Sequence, residues 1–222
     1  SAPVDVTYVI SYQTASCSAS TFNLVVTVSP SAVITSASSG NACTGVPQNY
    51  LLTSNVAGAT FSWSRAAIAG ISNPAVNNQT SASITETLIN TTTSPIIVTY
   101  IMVPVVSGCP GTAFAYKLTV NPTVPTPVAN ANSPVCTGNA INLQSPIIPN
   151  AIYNWSGPNG FTSAQQNPTI PNATVANSGA YSLFITINGC ASPVDTVNVT
   201  VNPLPVAVAG PGRAAAGDDQ VR

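Results

Sequence analysis

The chain has 222 residues, only 4% of them charged against about 25% in ordinary globular chains, and a formal net charge of −1. That balance excludes a basic footprint for nucleic acid and a polybasic membrane anchor. No apolar run approaches the roughly 20 residues needed for membrane insertion as a helix. With 20 prolines, 14 glycines and no sustained 3.6-residue periodicity, the economical class is all-β.

Residues 1–30 end in a stretch that recurs. Cys17 precedes Pro30 by thirteen residues, as Cys109 precedes Pro122 and Cys190 precedes Pro203. Leu24, Val26 and Val28 match Tyr116, Leu118 and Val120, and these match Val197, Val199 and Val201. A spacing of two marks a strand with one face in a core, and the proline ends its ladder. Val6-Thr7-Tyr8 recurs as Val98-Thr99-Tyr100. Residues 1–30 therefore read as the closing hairpin of a module whose front half is absent.

Residues 31–122 read as one complete module. Its expected strands are Tyr50–Thr53, a central Phe61-Ser62-Trp63, Ser83–Leu88, and Ile96–Val103 paired with the closing strand. Residues 123–203 read as a second module, entered through the stiff segment Pro122–Pro127. Its strands begin at Ile141-Asn142-Leu143 and Ile152–Trp155, and a long alternating strand runs from Ala180 to Ile187. Asn188-Gly189 is a strong hairpin signal. Residues 204–222 read as a linker and first strand of a following module. Five cysteines at repeated positions point to disulfides and an extracellular setting. The expectation is an excerpt of a longer secreted chain.

No catalytic constellation is legible. Without histidine there is no imidazole base and no histidine metal site. The five acids, Asp5, Glu86, Asp195, Asp218 and Asp219, are dispersed apart from the terminal pair, which reads as an exposed turn rather than part of a calcium site. No catalytic, metal or cofactor residue is therefore assigned. Trp63 and Trp155 occupy central-strand positions and read as core rather than sugar platforms. Tyr12, Tyr153 and Phe161 read as surface aromatics, and Glu86 with Lys117 as a cross-strand pair. Five Asn-x-Ser/Thr triplets are expected by chance in so Asn- and Thr-rich a chain.

Asn177-Ser178-Gly179-Ala180-Tyr181-Ser182-Leu183 resembles the tyrosine corner of immunoglobulin-like sandwiches, with Leu183 and Leu143 where those domains carry their cysteines. The resemblance implies a core of Leu143, Trp155, Tyr181 and Leu183. Phe61–Ser72 with Ile84–Thr92 resembles the PKD-like repeats of large Bacteroidota cell-surface proteins, and residues 123–203 resemble the Ig-like repeats that accompany them. Ala209-Gly210 and Ala216–Gln220 resemble the linker and first strand of such repeats. The best-known proteins of this kind are gliding-motility adhesins of the SprB type, exported by the type IX pathway. What this implies is tandem Ig-like and PKD-like antiparallel β-sandwiches arranged end to end at the cell surface. Asp195-Thr196-Val197 is similar to the O-glycosylation triplet of that phylum, with Thr196 as acceptor.

For the cysteines, local pairing is the ordinary expectation: Cys43–Cys109 and Cys136–Cys190, with Cys17 paired outside the segment. The Ig-like placement of Leu143 and Leu183 argues the other way. It puts Cys136 and Cys190 roughly 25 Å apart at about 3.3 Å per residue, beyond the roughly 7 Å a disulfide bridges, and makes Cys43–Cys190 the competing pair.

The functional expectation is a non-enzymatic stalk or spacer of a surface adhesin or filament, its partners being neighbouring modules of the same long chain and possible surface polysaccharides or filament chains. The alternatives are a self-assembling fibre subunit completed by neighbouring chains, or an ancillary glycan-binding module of a secreted enzyme.

Overall fold

The computed structural model describes residues 3–205 except Ser16, with backbone alone at Thr14 and residues 17–19. The protein is all-β, and among the described residues its helical elements are the single 3-10 turns Pro158–Gly160 and Val175–Asn177. It divides into two units, Ser1–Thr123 with Asn188–Cys190, and Val124–Ile187 with Ala191–Arg222. The expected strand in 204–222 and the pair Asp218-Asp219 fall outside the described residues.

Unit 1 opens with β1 (Val4–Thr14) and β2 (Cys17–Val28), an antiparallel hairpin forming a two-stranded sheet. There follow β3 (Ser39–Cys43), β4 (Tyr50–Leu51), β5 (Thr60–Arg65), β6 (Val76–Gln79), β7 (Ser83–Ile84), β8 (Ile96–Val106), β9 (Cys109–Pro110) and β10 (Phe114–Asn121). The main sheet runs β3-β10-β8-β5-β6, with β3 parallel to β10, and the second layer is built on β4 and β7. Alternation explains the packing. Phe61 and Trp63 on β5, Val98, Tyr100 and Met102 on β8, and Tyr116, Leu118 and Val120 on β10 all turn inward to one core with Leu52, Ile84 and Leu88.

The expected strand Ser83–Leu88 is shorter than its sequence implied. Beyond Ile84 only single bridges form, Pro47 to Thr87 and Ile71 to Asn90. Side chains take the place of strand partners here: Asn73 Oδ1 accepts the Ile89 N–H at 2.9 Å and Thr44 Oγ1 the Asn90 N–H at 2.9 Å.

The hairpin β1–β2 repeats β8–β10 in register. Val6 faces Val26, Tyr8 faces Leu24 and Ile10 faces Phe22. Ninety-two residues on, Val98 faces Leu118, Tyr100 faces Tyr116 and Met102 faces Phe114. The surroundings differ: Tyr100 is 0% exposed and Tyr8 54%.

Unit 2 comprises β11 (Asn130–Ala131), β12 (Val135–Cys136), β13 (Ile141–Gln144), β14 (Ile152–Gly157), β15 (Phe161–Ser163), β16 (Thr169–Ile170), β17 (Gly179–Ile187), β18 (Cys190–Ala191, divided at the unit boundary), β19 (Asp195–Val199) and β20 (Val201–Asn202). One sheet is β11-β13-β16; the other places β14 between β15 and β17, with β19 on the far side of β17. The parallel pair β12–β20 answers to β3–β10 of unit 1. Both units thus share one immunoglobulin-like wiring.

Candidate functional site

The ionisable groups with the most perturbed surroundings meet in the core of unit 1. Arg65 continues the inward face of Phe61 and Trp63, and Glu86 that of Ile84 and Leu88. The two join bidentately: Arg65 Nε donates to Glu86 Oε2 at 2.9 Å and Nη2 to Oε1 at 2.9 Å. The Arg65 side chain is 0% exposed and that of Glu86 18%. Arg65 also donates to the carbonyls of Ala66 and Pro74, Tyr100 Oη donates to Glu86 Oε2 at 2.7 Å, and Gln48 Nε2 donates to Tyr100 Oη at 2.6 Å. Burial, the largest influence on Glu86, pushes its carboxyl up; the hydrogen bonds from Arg65 and Tyr100 outweigh it, and the group lies below its ordinary value. The hydrogen bond to Glu86 holds Arg65 above its ordinary value against burial. Burial, then the neighbouring carboxylate, raises the Tyr100 phenol strongly.

This corrects the expected Glu86–Lys117 pair. Lys117 lies between inward Tyr116 and Leu118 and so faces out, whereas Glu86 faces in. Both carboxylate oxygens already accept hydrogen bonds from within the unit, Oε1 from Arg65 and Oε2 from Arg65 and Tyr100. The cluster is a polar tie within the unit 1 sandwich.

Trp63, Leu143, Trp155, Tyr181 and Leu183 are all buried. Trp63 is 6% exposed and Trp155 2%, so neither indole offers a face for sugar stacking; Trp63 Nε1 donates to the Ser81 carbonyl and Trp155 Nε1 to that of Gln166, each at 3.2 Å. Trp155 lies opposite Leu183 in the β14–β17 ladder, and Tyr181 Oη donates to the Asn177 carbonyl at 3.0 Å, closing the tyrosine corner. Tyr153 departs from expectation. It is buried, because its hydroxyl accepts the Ile148 N–H at 2.9 Å and donates to the Pro146 carbonyl at 3.0 Å, pinning the loop before β14. Phe161 is half-buried, edge-on to Tyr181 at 5.7 Å, while Tyr12 is exposed. Thr196 is exposed on β19, its hydroxyl 3.3 Å from that of Ser182.

The cysteines overturn the local pairing. Cys43 is bonded to Cys190, 147 residues away, with Cα atoms 5.6 Å apart; Cys109 and Cys136 are unpaired and exposed. The reason is strand direction. Cys43 lies opposite Asn121 at the end of β10, whereas Cys109 precedes its start at Phe114. Eight residues of β10 separate them, roughly 25 Å at about 3.4 Å per residue. The side chain of Cys17 lies outside the described residues.

Within unit 1, the tip 188–190 sits at Cys43 through more than the sulfurs. Asn188 Nδ2 donates to Asn121 Oδ1 at 3.3 Å. Beside it is a cleft of about 440 Å³ lined by Asn41, Gln48, Tyr50, Tyr116 and Asn188 among others. Tyr50 and Tyr116 stack there, centroids 3.9 Å apart. Such a lining offers amides and phenols for hydrogen bonding and no acid, base or nucleophile. Sequence reasoning missed Arg65 and this cleft. The inward period of β5 was the available signal for the first.

No curated protein is similar to the chain in sequence. Among solved structures, the chain resembles domains 3–5 of the extracellular part of Drosophila OTK (11% identity over 84% of this chain and 69% of that one, TM-score 0.43). It also resembles murine CEACAM1b (12% identity, 78% and 100%, TM-score 0.40) and the Ig1 domain of mouse SynCAM 2 (15% identity, 36% and 98%, TM-score 0.29). These likenesses concern the fold alone. Residues 40–124, spanning the main sheet and core of unit 1, match the PKD-like domain family.

Proposed function

We propose that the chain is a repeat segment, a stalk or spacer, of a large extracellular surface adhesin or filament of the kind found in Bacteroidota and linked to gliding or attachment. The observation that carries this reading is the recurrence of one hairpin in one register, β1–β2 and β8–β10, together with the shared wiring of both units. A chain that reiterates one sandwich and spends its buried charges on internal ties is built to set length and spacing. The PKD-like match, the disulfide and the neutral polar surface support an extracellular setting.

On this reading, residues 1–30 close a PKD-like sandwich, 31–122 and 123–203 are consecutive repeats, and 204–222 lead into another. Exposed Tyr8, Leu24 and Val26 are then the inner face of a sandwich whose other layer lies in further sequence. The same exposed hairpin favours one alternative, a fibre subunit whose hairpin is completed by a neighbouring chain. Thr196 is the O-glycan acceptor, on an outward face of β19. The test is to read the gene outward on both sides. Further repeats with Cys-Thr-Gly turns and Gly-Cys hairpin tips are expected; a catalytic domain joined directly to this segment would overturn the stalk reading in favour of an ancillary module.

A further inference from the structure

The occupied staple has two halves, and each half is built a second time. The receiving half is Cys43 opposite Asn121, on a strand parallel to the closing strand. The Thr44 N–H donates to the Asn121 carbonyl at 3.0 Å, the Val46 N–H to the Cys43 carbonyl at 3.1 Å, and Gly45 turns the chain at φ 74°. In unit 2, Cys136 lies opposite Asn202 on a strand again parallel to the closing strand. The Thr137 N–H donates to the Asn202 carbonyl at 2.8 Å, the Asn139 N–H to the Cys136 carbonyl at 3.0 Å, and Gly138 has φ 91°.

The inserting half is equally repeated. Asn188-Gly189, at φ 50° and 80°, presents Cys190. Ser107-Gly108, at φ 51° and 79°, presents Cys109 just after the turn, opposite Val106. Positive φ at both central residues is the type I′ geometry, which fixes where the next side chain points. Where Asn188 donates to Asn121, Ser107 carries a shorter donor, and Asn202 stands in the place of Asn121.

We propose that Cys136 is the receiving half and Cys109 the inserting half of further staples of the Cys43–Cys190 kind, each closed by another repeat of the same construction. Cys136 takes a Gly-Cys hairpin tip, and Cys109 takes a Cys-Thr-Gly turn beside an Asn-Pro strand end. The identity of the partner rests on the tandem-repeat reading; the selectivity of one half for the other rests on the matched geometry alone. Closure is thiol–disulfide exchange. One thiolate attacks oxidised glutathione, displacing one glutathione thiolate and leaving a mixed disulfide. The second cysteine thiolate attacks the cysteine sulfur of that mixed disulfide and displaces the other glutathione. Two thiols become one disulfide, and one oxidised glutathione becomes two reduced.

A second copy of this chain is the probe, because each copy carries both halves. The whole chain with Cys17→Ser is incubated in a glutathione redox buffer, alkylated and mapped without reduction, alongside a sample linked in urea. In the covalent dimer fraction, which excludes closure within one chain, folded chains should give Cys109–Cys136 links in excess over Cys109–Cys109 and Cys136–Cys136 by about tenfold relative to the dimers linked in urea. Gly138→Val, which strains the turn under Cys136, should abolish the excess while the Cys43–Cys190 link persists. Links in the same proportions folded and unfolded, or glutathione-capped monomer alone, would overturn the proposal. Neither outcome touches the gene-level test of the stalk reading.

Discussion

Glu86→Gln should destabilise unit 1 by about 3 kcal/mol. The substitution removes the counter-charge of a guanidinium that is 0% exposed and leaves one acceptor oxygen where three donors now converge. Breaking a buried pair from one side costs about 3–5 kcal/mol. The low end applies because the Glu86 side chain keeps 18% of its surface in water. At about 4–8 °C per kcal/mol for a domain of this size, the midpoint should fall by about 12–24 °C. Urea titration followed by Trp63 fluorescence, in a Trp155→Phe background, isolates unit 1. The double change Arg65→Met with Glu86→Leu should recover most of the loss, since apolar replacement of a whole buried pair is often neutral. A single-variant cost below about 1 kcal/mol would refute the reasoning, because the charges would then be solvated.

Acid should act through the same group. The Glu86 carboxyl is held below its ordinary value, so its contribution is complete above the unfolded value of about 4.3 and is lost as pH falls through the folded one. An acid titration of stability should show this loss in the parent and not in Glu86→Gln. Leu183→Ala, at a site 0% exposed, should cost unit 2 about 2–5 kcal/mol in a denaturant titration read by Trp155. Asn90→Ala should cost unit 1 about 2–4 kcal/mol by calorimetry. Its side chain donates to the carbonyls of Ser94 and Val120 and accepts from the N–H and hydroxyl of Thr92, all in a 4% exposed site.

The closing strands were legible because alternation and a terminal proline are local signals, and β10 runs as its Tyr116-Leu118-Val120 spacing requires. The tyrosine corner was legible for the same reason: Tyr181 reaches only four residues back, to Asn177. The partner of Glu86 was legible but not read. Phe61, Trp63 and Arg65 share one parity, as do Ile84, Glu86 and Leu88, and Lys117 has the outward parity of β10. Tyr153 was hidden because its burial depends on the carbonyl of Pro146, and no short-range pattern announces a loop folding back over a ring. The disulfide was least legible. The rule of local pairing and the direction of the strands disagreed, and only knowing that Cys43 and Cys109 lie at opposite ends of β10 decides between them.

Trypsin mapping under non-reducing conditions tests that decision most directly. Cleavage after Arg65, Lys117 and Arg213 separates Cys43, Cys109 and the pair Cys136 and Cys190 into the fragments 1–65, 66–117 and 118–213. A Cys43–Cys190 bond joins 1–65 to 118–213, with fragmentation placing the link at those two residues, and leaves 66–117 carrying a thiol at Cys109. Fragment 1–65 joined instead to 66–117 through Cys43 and Cys109, with an internal Cys136–Cys190 bond in 118–213, would contradict the account.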